Sequence, residues 1–178
     1  MAYEEWGDYS LYHGMRSKRT PEDIKKEGFC SYGTPIDERI NIIDALKHFG
    51  KEKLLTVKGG KGYRVRSIMD EVMRDLGKNR LNTWATTDKE AACEWWAHAN
   101  PEHITLVLDA AGVEPEEIEK YLKEKFGSNC YNIKLKITSL GTNPNFNTGL
   151  NCIPPSLIKK IEECNECRYT GKAHKKKD

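Results

Sequence analysis

Apolar positions recur along this chain in two rhythms, one of three to four residues and one of two. Ile36, Ile40, Ile43, Leu46 and Phe49 are spaced as one face of a helix, opened by Thr34-Pro35 and closed by Gly50. Val65, Ile68, Met69, Val72, Met73 and Leu76 make a second stripe that ends at Gly77. A shorter helix is predicted from Thr20-Pro21-Glu22-Asp23, where a hydroxyl cap, a first-turn proline and two acids coincide. It stops at Gly28, with Phe29 placed to fold back on it. Glu114-Pro115 opens a further helix carrying Ile118, Tyr121, Leu122 and Phe126, closed by Gly127.

The two-residue rhythm is clearest at Tyr131, Ile133, Leu135 and Ile137, which alternate with Asn132, Lys134 and Lys136 as in a half-exposed strand. Ser10 to His13 reads as a short strand, and Leu81 to Thr87 as a β-rich run. The latter passes without a loop into a helix over Asp88 to Ala99, begun by the capping-box spacing of Thr87 and Glu90 and stopped by Asn100-Pro101. The continuous apolar run Ile104 to Leu108 predicts a buried strand. Residues 139–149 read as a polar loop, Leu150 to Ile153 as a brief strand, and Pro154-Pro155-Ser156 as the start of a last helix with Leu157, Ile158 and Ile161. Helices gather early and short strands late, which favours an α+β fold over a regular βαβ array. The expected organisation is one domain over residues 1–167, with a helical insertion at 35–77 and a basic, disordered tail at 168–178.

Composition narrows the function classes. A chain of 178 residues with 31% charged and 38% hydrophobic residues buries an ordinary core without staples. A formal charge of +2 is too small for the whole domain to act as a polyanion binder. No stretch is long and apolar enough to span a membrane, and the acidic, aromatic start Met1-Ala2-Tyr3-Glu4-Glu5-Trp6 does not resemble a signal peptide. Six cysteines are therefore expected as reduced thiols in a cytoplasmic protein. Cys164-Asn-Glu-Cys167 with His174 lacks an evident fourth ligand for structural zinc, so no metal is expected. Lys58-Gly59-Gly60-Lys61-Gly62 has neither the spacing nor the Ser/Thr of a phosphate-binding P-loop and reads as a linker.

Polar groups at strand ends are few. His13 closes the first strand, Thr86 and Thr87 close the second, and Trp84 shares a side with Thr86 by the period of two. An imidazole, hydroxyls, an indole face and the amides of the Asn-rich loop at 143–147 suit a sugar and a flat heteroaromatic ring.

The order of the pieces carries more. Leu11-Tyr12-His13-Gly14, followed by Ile24-Lys25-Lys26-Glu27-Gly28-Phe29, resembles the opening of ADP-ribosyltransferases of the diphtheria-toxin and poly(ADP-ribose) polymerase type. Thr83-Trp84-Ala85-Thr86-Thr87-Asp88, running into Ala91-Ala92 and Trp95-Trp96, is similar to that family's second motif, and Ile153-Pro154-Pro155-Ser156 to its usual ending. The resemblance implies a split pair of antiparallel sheets gripping NAD, used as substrate, in the cleft between them. It implies that His13, Gly14, Met15, Trp84, Thr86 and Thr87 contact the dinucleotide, with His13, Trp84 and Asn147 in the catalytic positions. It also implies glycosyl transfer, in which ADP-ribose passes to a protein or nucleic-acid acceptor.

Three positions depart from the family pattern. Met15 stands where threonine is usual, and Trp84 where tyrosine is commoner. No acid occurs between Asn143 and Cys152, where a glutamate that stabilises the ribosyl cation is expected. Asn147 or Asn145 offers an amide there, without charge; Glu116 and Glu117 are acids that could arrive from elsewhere. Loss of such a group is worth on the order of a hundredfold in rate. The alternatives are thus a module that binds a nucleotide or ADP-ribose without turnover, or a nucleic-acid-binding protein led by its basic tail.

Overall fold

The computed structural model describes residues 8–31, 33–79, 82–140 and 145–171. Strand β1 (Asp8–Ser17) is followed by α1 (Pro21–Glu27) and the two-residue β2 (Phe29–Cys30). Then come α2 (Pro35–His48), a 3-10 turn at Glu52–Leu55 and the long α3 (Gly60–Asn79). Next are β3 (Trp84–Thr86), one α-turn α4 (Lys89–Ala91) that widens into a π-helical segment (Ala92–Ala97), α5 (Glu102–Ala110) and α6 (Pro115–Phe126). The chain ends through β4 (Asn129–Leu140), β5 (Asn145–Asn147), β6 (Cys152–Ile153), a 3-10 turn at Pro155–Leu157 and β7 (Ile158–Glu163).

The strands form a five-stranded sheet, ordered β5-β3-β1-β4-β7, and a two-stranded sheet of β2 and β6. Every pairing is antiparallel. The fold is thus α+β with antiparallel sheets, as the distribution of periods implies. Two cores support it. Leu11, Ile24, Phe29, Ile133 and Ile158 pack where α1 meets the sheets. Leu46, Val65, Leu108 and Leu122 pack among α2, α3, α5 and α6.

The caps of α1 and α2 match their sequence signals. Thr20 Oγ1 accepts from Asp23 N, and Thr34 and Asp37 complete a reciprocal capping box. The apolar face of α2 does not. Ile36 and Ile40 are 71% and 51% exposed, whereas Ile42, Ala45, Leu46 and Glu38 are buried. The helix is therefore turned relative to the expected stripe, and a glutamate occupies a core-facing position. Asp88, not Thr87, caps α4, its Oδ1 accepting from Glu90 N and Ala91 N.

Two elements change type. The run Ile104–Leu108 is a helix, not a strand. It is buried at Ile104, Thr105, Val107 and Leu108, so burial on nearly all sides erased the helical period. Ile158 and Ile161 lie on β7, not on a helix. Lys134 pairs with Lys160 and Leu135 with Ile158, so Lys159 is an extra residue in the ladder. A bulge of that kind turns a spacing of three into one face, and a helical signature results. The 139–149 stretch likewise contains a strand, Asn145–Asn147, while residues 141–144 lie outside the described residues.

The expectation of reduced thiols is overturned. All six cysteines pair, as Cys30–Cys152, Cys93–Cys164 and Cys130–Cys167. Cys164 and Cys167 thus face different partners and are not thiolate ligands. The bridges also hold the chain after β7 against the body, and Tyr169 is 2% exposed within the helical core. Within the segment expected as a tail from position 168, Tyr169 and Gly171 are buried while Arg168 and Thr170 are exposed; residues 172–178 lie outside the described residues. Among the described residues, no helix is long and apolar enough to cross a membrane.

Candidate functional site

A cleft of about 590 Å³ opens where the sheet core and the helical core meet. Its sheet side is lined by His13 to Arg16, Phe29, Trp84 and Asn145; its helical side includes Glu38, Asp75, Glu102 and His103. The register between β1 and β3 is a single pair, Tyr12 with Thr86. Beyond it, four consecutive β1 residues line the cleft. Side chains of a strand alternate, so a consecutive run means that β1 offers its backbone edge there.

His13 sits at that divergence. Its Nδ1 lies 2.7 Å from the Trp84 carbonyl oxygen, which can only accept, so Nδ1 carries the hydrogen. Its ring stacks on Phe29 with centroids 5.0 Å apart. Burial pushes the imidazole pKa below its ordinary value, against a smaller upward pull from the Trp84 carbonyl. The ring is therefore neutral at pH 7, with Nε2 as an acceptor. Gly14 is needed for packing: any Cβ there would collide with the Ala92 carbonyl of the π-helical segment. That segment passes directly beneath β1, which excludes a side chain and keeps the strand backbone accessible.

Of the residues expected to bind or react, His13, Gly14, Met15 and Trp84 come together on the cleft. Thr86, Thr87 and Asn147 are not among its lining residues. Thr86 is buried and accepts from Asp88 N, which makes it a turn residue. Asn147 pairs with Trp84 across the ladder and accepts from Gly149 N at 2.8 Å. Glu116 and Glu117 stand in the first turn of α6 and do not line the cleft.

Sequence reasoning missed the helical side. Glu38 is 8% exposed, and burial, then Asp37, raises its pKa. Burial also raises that of Glu102 at the open end of α5 and lowers that of His103 to about 4. The one arginine on the cleft, Arg16, is consumed elsewhere: both terminal nitrogens bind Glu119, at 3.0 and 2.6 Å, and also the carbonyls of Gly127 and His98. Carboxyls thus face the cleft without a free cation among its lining residues. Such a wall favours a cationic or hydroxyl-rich ligand group.

The mouth is braced. Ser31 Oγ lies 2.6 Å from Thr83 Oγ1, which donates to the Asn151 carbonyl, and Cys30–Cys152 bridges the adjacent pair of strands. The chain matches no family model, no curated protein and no solved structure.

Proposed function

We propose that this cleft binds NAD and that the chain transfers ADP-ribose to a nucleophile of a protein or nucleic acid, on an ADP-ribosyltransferase type of α+β fold. The observation that carries the reading is His13 at the point where β1 parts from β3. Its tautomer is set by the Trp84 carbonyl, so Nε2 is left to accept from a ribose hydroxyl. The open β1 edge beside Gly14 offers backbone groups to a carboxamide, and Trp84, partly exposed, offers a ring face. The carboxyl-bearing wall suits the cationic nicotinamide riboside end, which leaves the pyrophosphate to the open mouth.

Chemistry in such a site is loss of nicotinamide and capture of the ribosyl cation, promoted by positioning and by fixed charge. Three disulfides favour an oxidising compartment over the reducing cytoplasm first expected. Calorimetric titration with NAD tests the reading: micromolar binding is expected, weakened at least about tenfold in His13→Ala, since a charge-free hydrogen bond and its stacking are lost. Nicotinamide release should follow in the wild type and fail in the variant. Binding without turnover over hours would make the chain a nucleotide-binding module instead, and absence of binding would sink the proposal.

A further inference from the structure

We propose that the 3-10 turn at Glu52–Leu55 and the first turns of α3 form a face that binds single-stranded nucleic acid. This face needs no NAD, and the cleft reading does not depend on it. Charge marks it first. Between Lys47 and Arg66 the chain carries seven cations and one acid, Glu52, a net charge of +6 in twenty residues. The whole chain is only +2, so the remainder carries −4. A local field of that sign attracts a polyanion although the domain as a whole is nearly neutral. Glu52 offsets little of it at the surface, since one of its carboxyl oxygens is buried. Lys53, Lys58, Lys61 and Arg64 are all exposed, and among the described residues no ion pair takes them up.

The fold gathers these cations. Arg66 donates through Nη1 to the carbonyls of Leu54 and Val57, which holds the 3-10 turn back against α3. Carbonyls carry no net charge, so Arg66 keeps its own. Gly62 permits the approach: a Cβ there would lie 2.7 Å from the Val57 carbonyl oxygen and 2.8 Å from that of Leu54. The stretch Lys58 to Gly62, which its sequence presents as a linker, is thus the packed junction of turn and helix, with Gly60, Lys61 and Gly62 inside α3. The first turn of α3 holds no acid, so the positive end of the helix adds to the same field.

An uncovered ring then selects among polyanions. Tyr63, between Lys61 and Arg64 on α3, is 66% exposed. Such a ring among cations suits a strand whose bases are free to stack while its phosphates meet lysine and arginine; in a duplex the base faces are already stacked on one another. A bilayer surface would require a broad apolar face reaching the acyl boundary. Among the described residues from Lys47 to Arg66, only Val57 and Tyr63 are exposed large apolar side chains, too few for that.

Fluorescence anisotropy of a labelled single-stranded oligonucleotide of about twelve residues, titrated with the full chain at several salt concentrations, tests the proposal. The wild type should bind, and log affinity should fall against log salt with a slope of about −2 to −3, as about three or four phosphates are met. Lys53→Gln, Lys58→Gln and Arg64→Gln together should weaken binding at least about tenfold and make the slope shallower by about 2. Tyr63→Ala should weaken it at least about fivefold with the slope unchanged, because stacking releases no counterions. Annealing the oligonucleotide to its complement should weaken binding by the wild type. Lys175→Gln, Lys176→Gln and Lys177→Gln together, in the basic tail, should leave the effects of the face variants in place. Unchanged thermal midpoints show that the variants are folded. The assignment is overturned if the wild type does not bind at low salt, if Tyr63→Ala binds like the wild type, or if the duplex binds as tightly as the single strand. It is equally overturned if the tail variant, and not the face variant, abolishes the salt slope. Phosphatidylserine vesicles bound by the wild type and released by the face variant, with the oligonucleotide unaffected, would make this a membrane surface instead.

Discussion

Two glutamates in this chain are buried to the same degree and meet opposite surroundings. Glu119 on α6 is 7% exposed and Glu38 on α2 is 8% exposed. The first accepts two bonds from Arg16 and one from the Tyr169 amide, so every part of its charge is answered. It ties β1, α6 and the chain after β7 into one knot, which Cys130–Cys167 reinforces from the next residues. The second has only burial and the neighbouring Asp37 acting on it, and both penalise its charge. The same side chain thus closes the molecule in one place and, without a partner among the described residues, lines a cleft in the other. Burial alone does not tell structure from function; the list of partners does.

The largest effect comes from breaking the answered pair. Glu119→Gln or Arg16→Met leaves one buried charge without its counterion, and each should cost about 3–5 kcal/mol of unfolding free energy. Urea denaturation followed by tryptophan fluorescence measures it. Replacing both with apolar residues should recover much of the loss, because the penalty lies in the orphaned charge. A loss below about 1 kcal/mol in either single variant would show that the knot is not the structural centre assigned to it.

Sequence reading caught the parts of this contrast that are local. His13-Gly14, the caps at Thr20 and Thr34, and the stripes of α3 and α6 all follow from short-range chemistry. Glu38 was hidden because Ile36, Ile40, Ile43 and Leu46 fit a helical stripe as well as Glu38, Ile42, Ala45 and Leu46 do. Only packing against α3 and α5 decides which face turns inward. Arg16 and Glu119 lie 103 residues apart, a pairing that no periodicity encodes. The disulfides were missed for a related reason: their partners lie 122, 71 and 37 residues apart, and only the close pair Cys164 and Cys167 drew notice. The bulge at Lys159 and the all-round burial of α5 each forged the signature of the wrong element.

A second, smaller effect separates the two regions by pH. His103 lines the same cleft as Glu38, and its pKa is about 4 because burial outweighs the pull of Asp75. Its folded pKa lies below the unfolded value of 6.5, so stability is fully present above pH 6.5 and is lost as pH falls toward 4. The loss attributable to His103 is on the order of 2 kcal/mol after allowance for its partial exposure. Urea midpoints across that window should fall in the wild type and fall less steeply in His103→Gln. His98, whose carbonyl accepts from Arg16, and His13 also have their pKa values lowered by burial and add to the same window, so an undiminished slope in His103→Gln would place the acid response on those two.

The smallest effect has the opposite sign and is the sharpest test of the contrast. Glu38 has its folded pKa raised above 4.5, so it contributes stability below pH 4.5 and loses it as pH rises through the folded value. At neutral pH its carboxyl is a liability in the free protein. Glu38→Gln keeps the shape and removes the charge, so it should leave stability unchanged or raise it by up to about 1 kcal/mol at neutral pH. The difference should vanish below pH 4.5, where the wild-type carboxyl is itself protonated. Thermal midpoints of the two proteins, compared across that range, read the effect directly. A loss at neutral pH of the size seen for Glu119→Gln would mean that Glu38 holds a structural partner, and the two glutamates would then do the same job. A gain that grows with pH means that the fold tolerates an unanswered charge on α2, at the wall of the cleft.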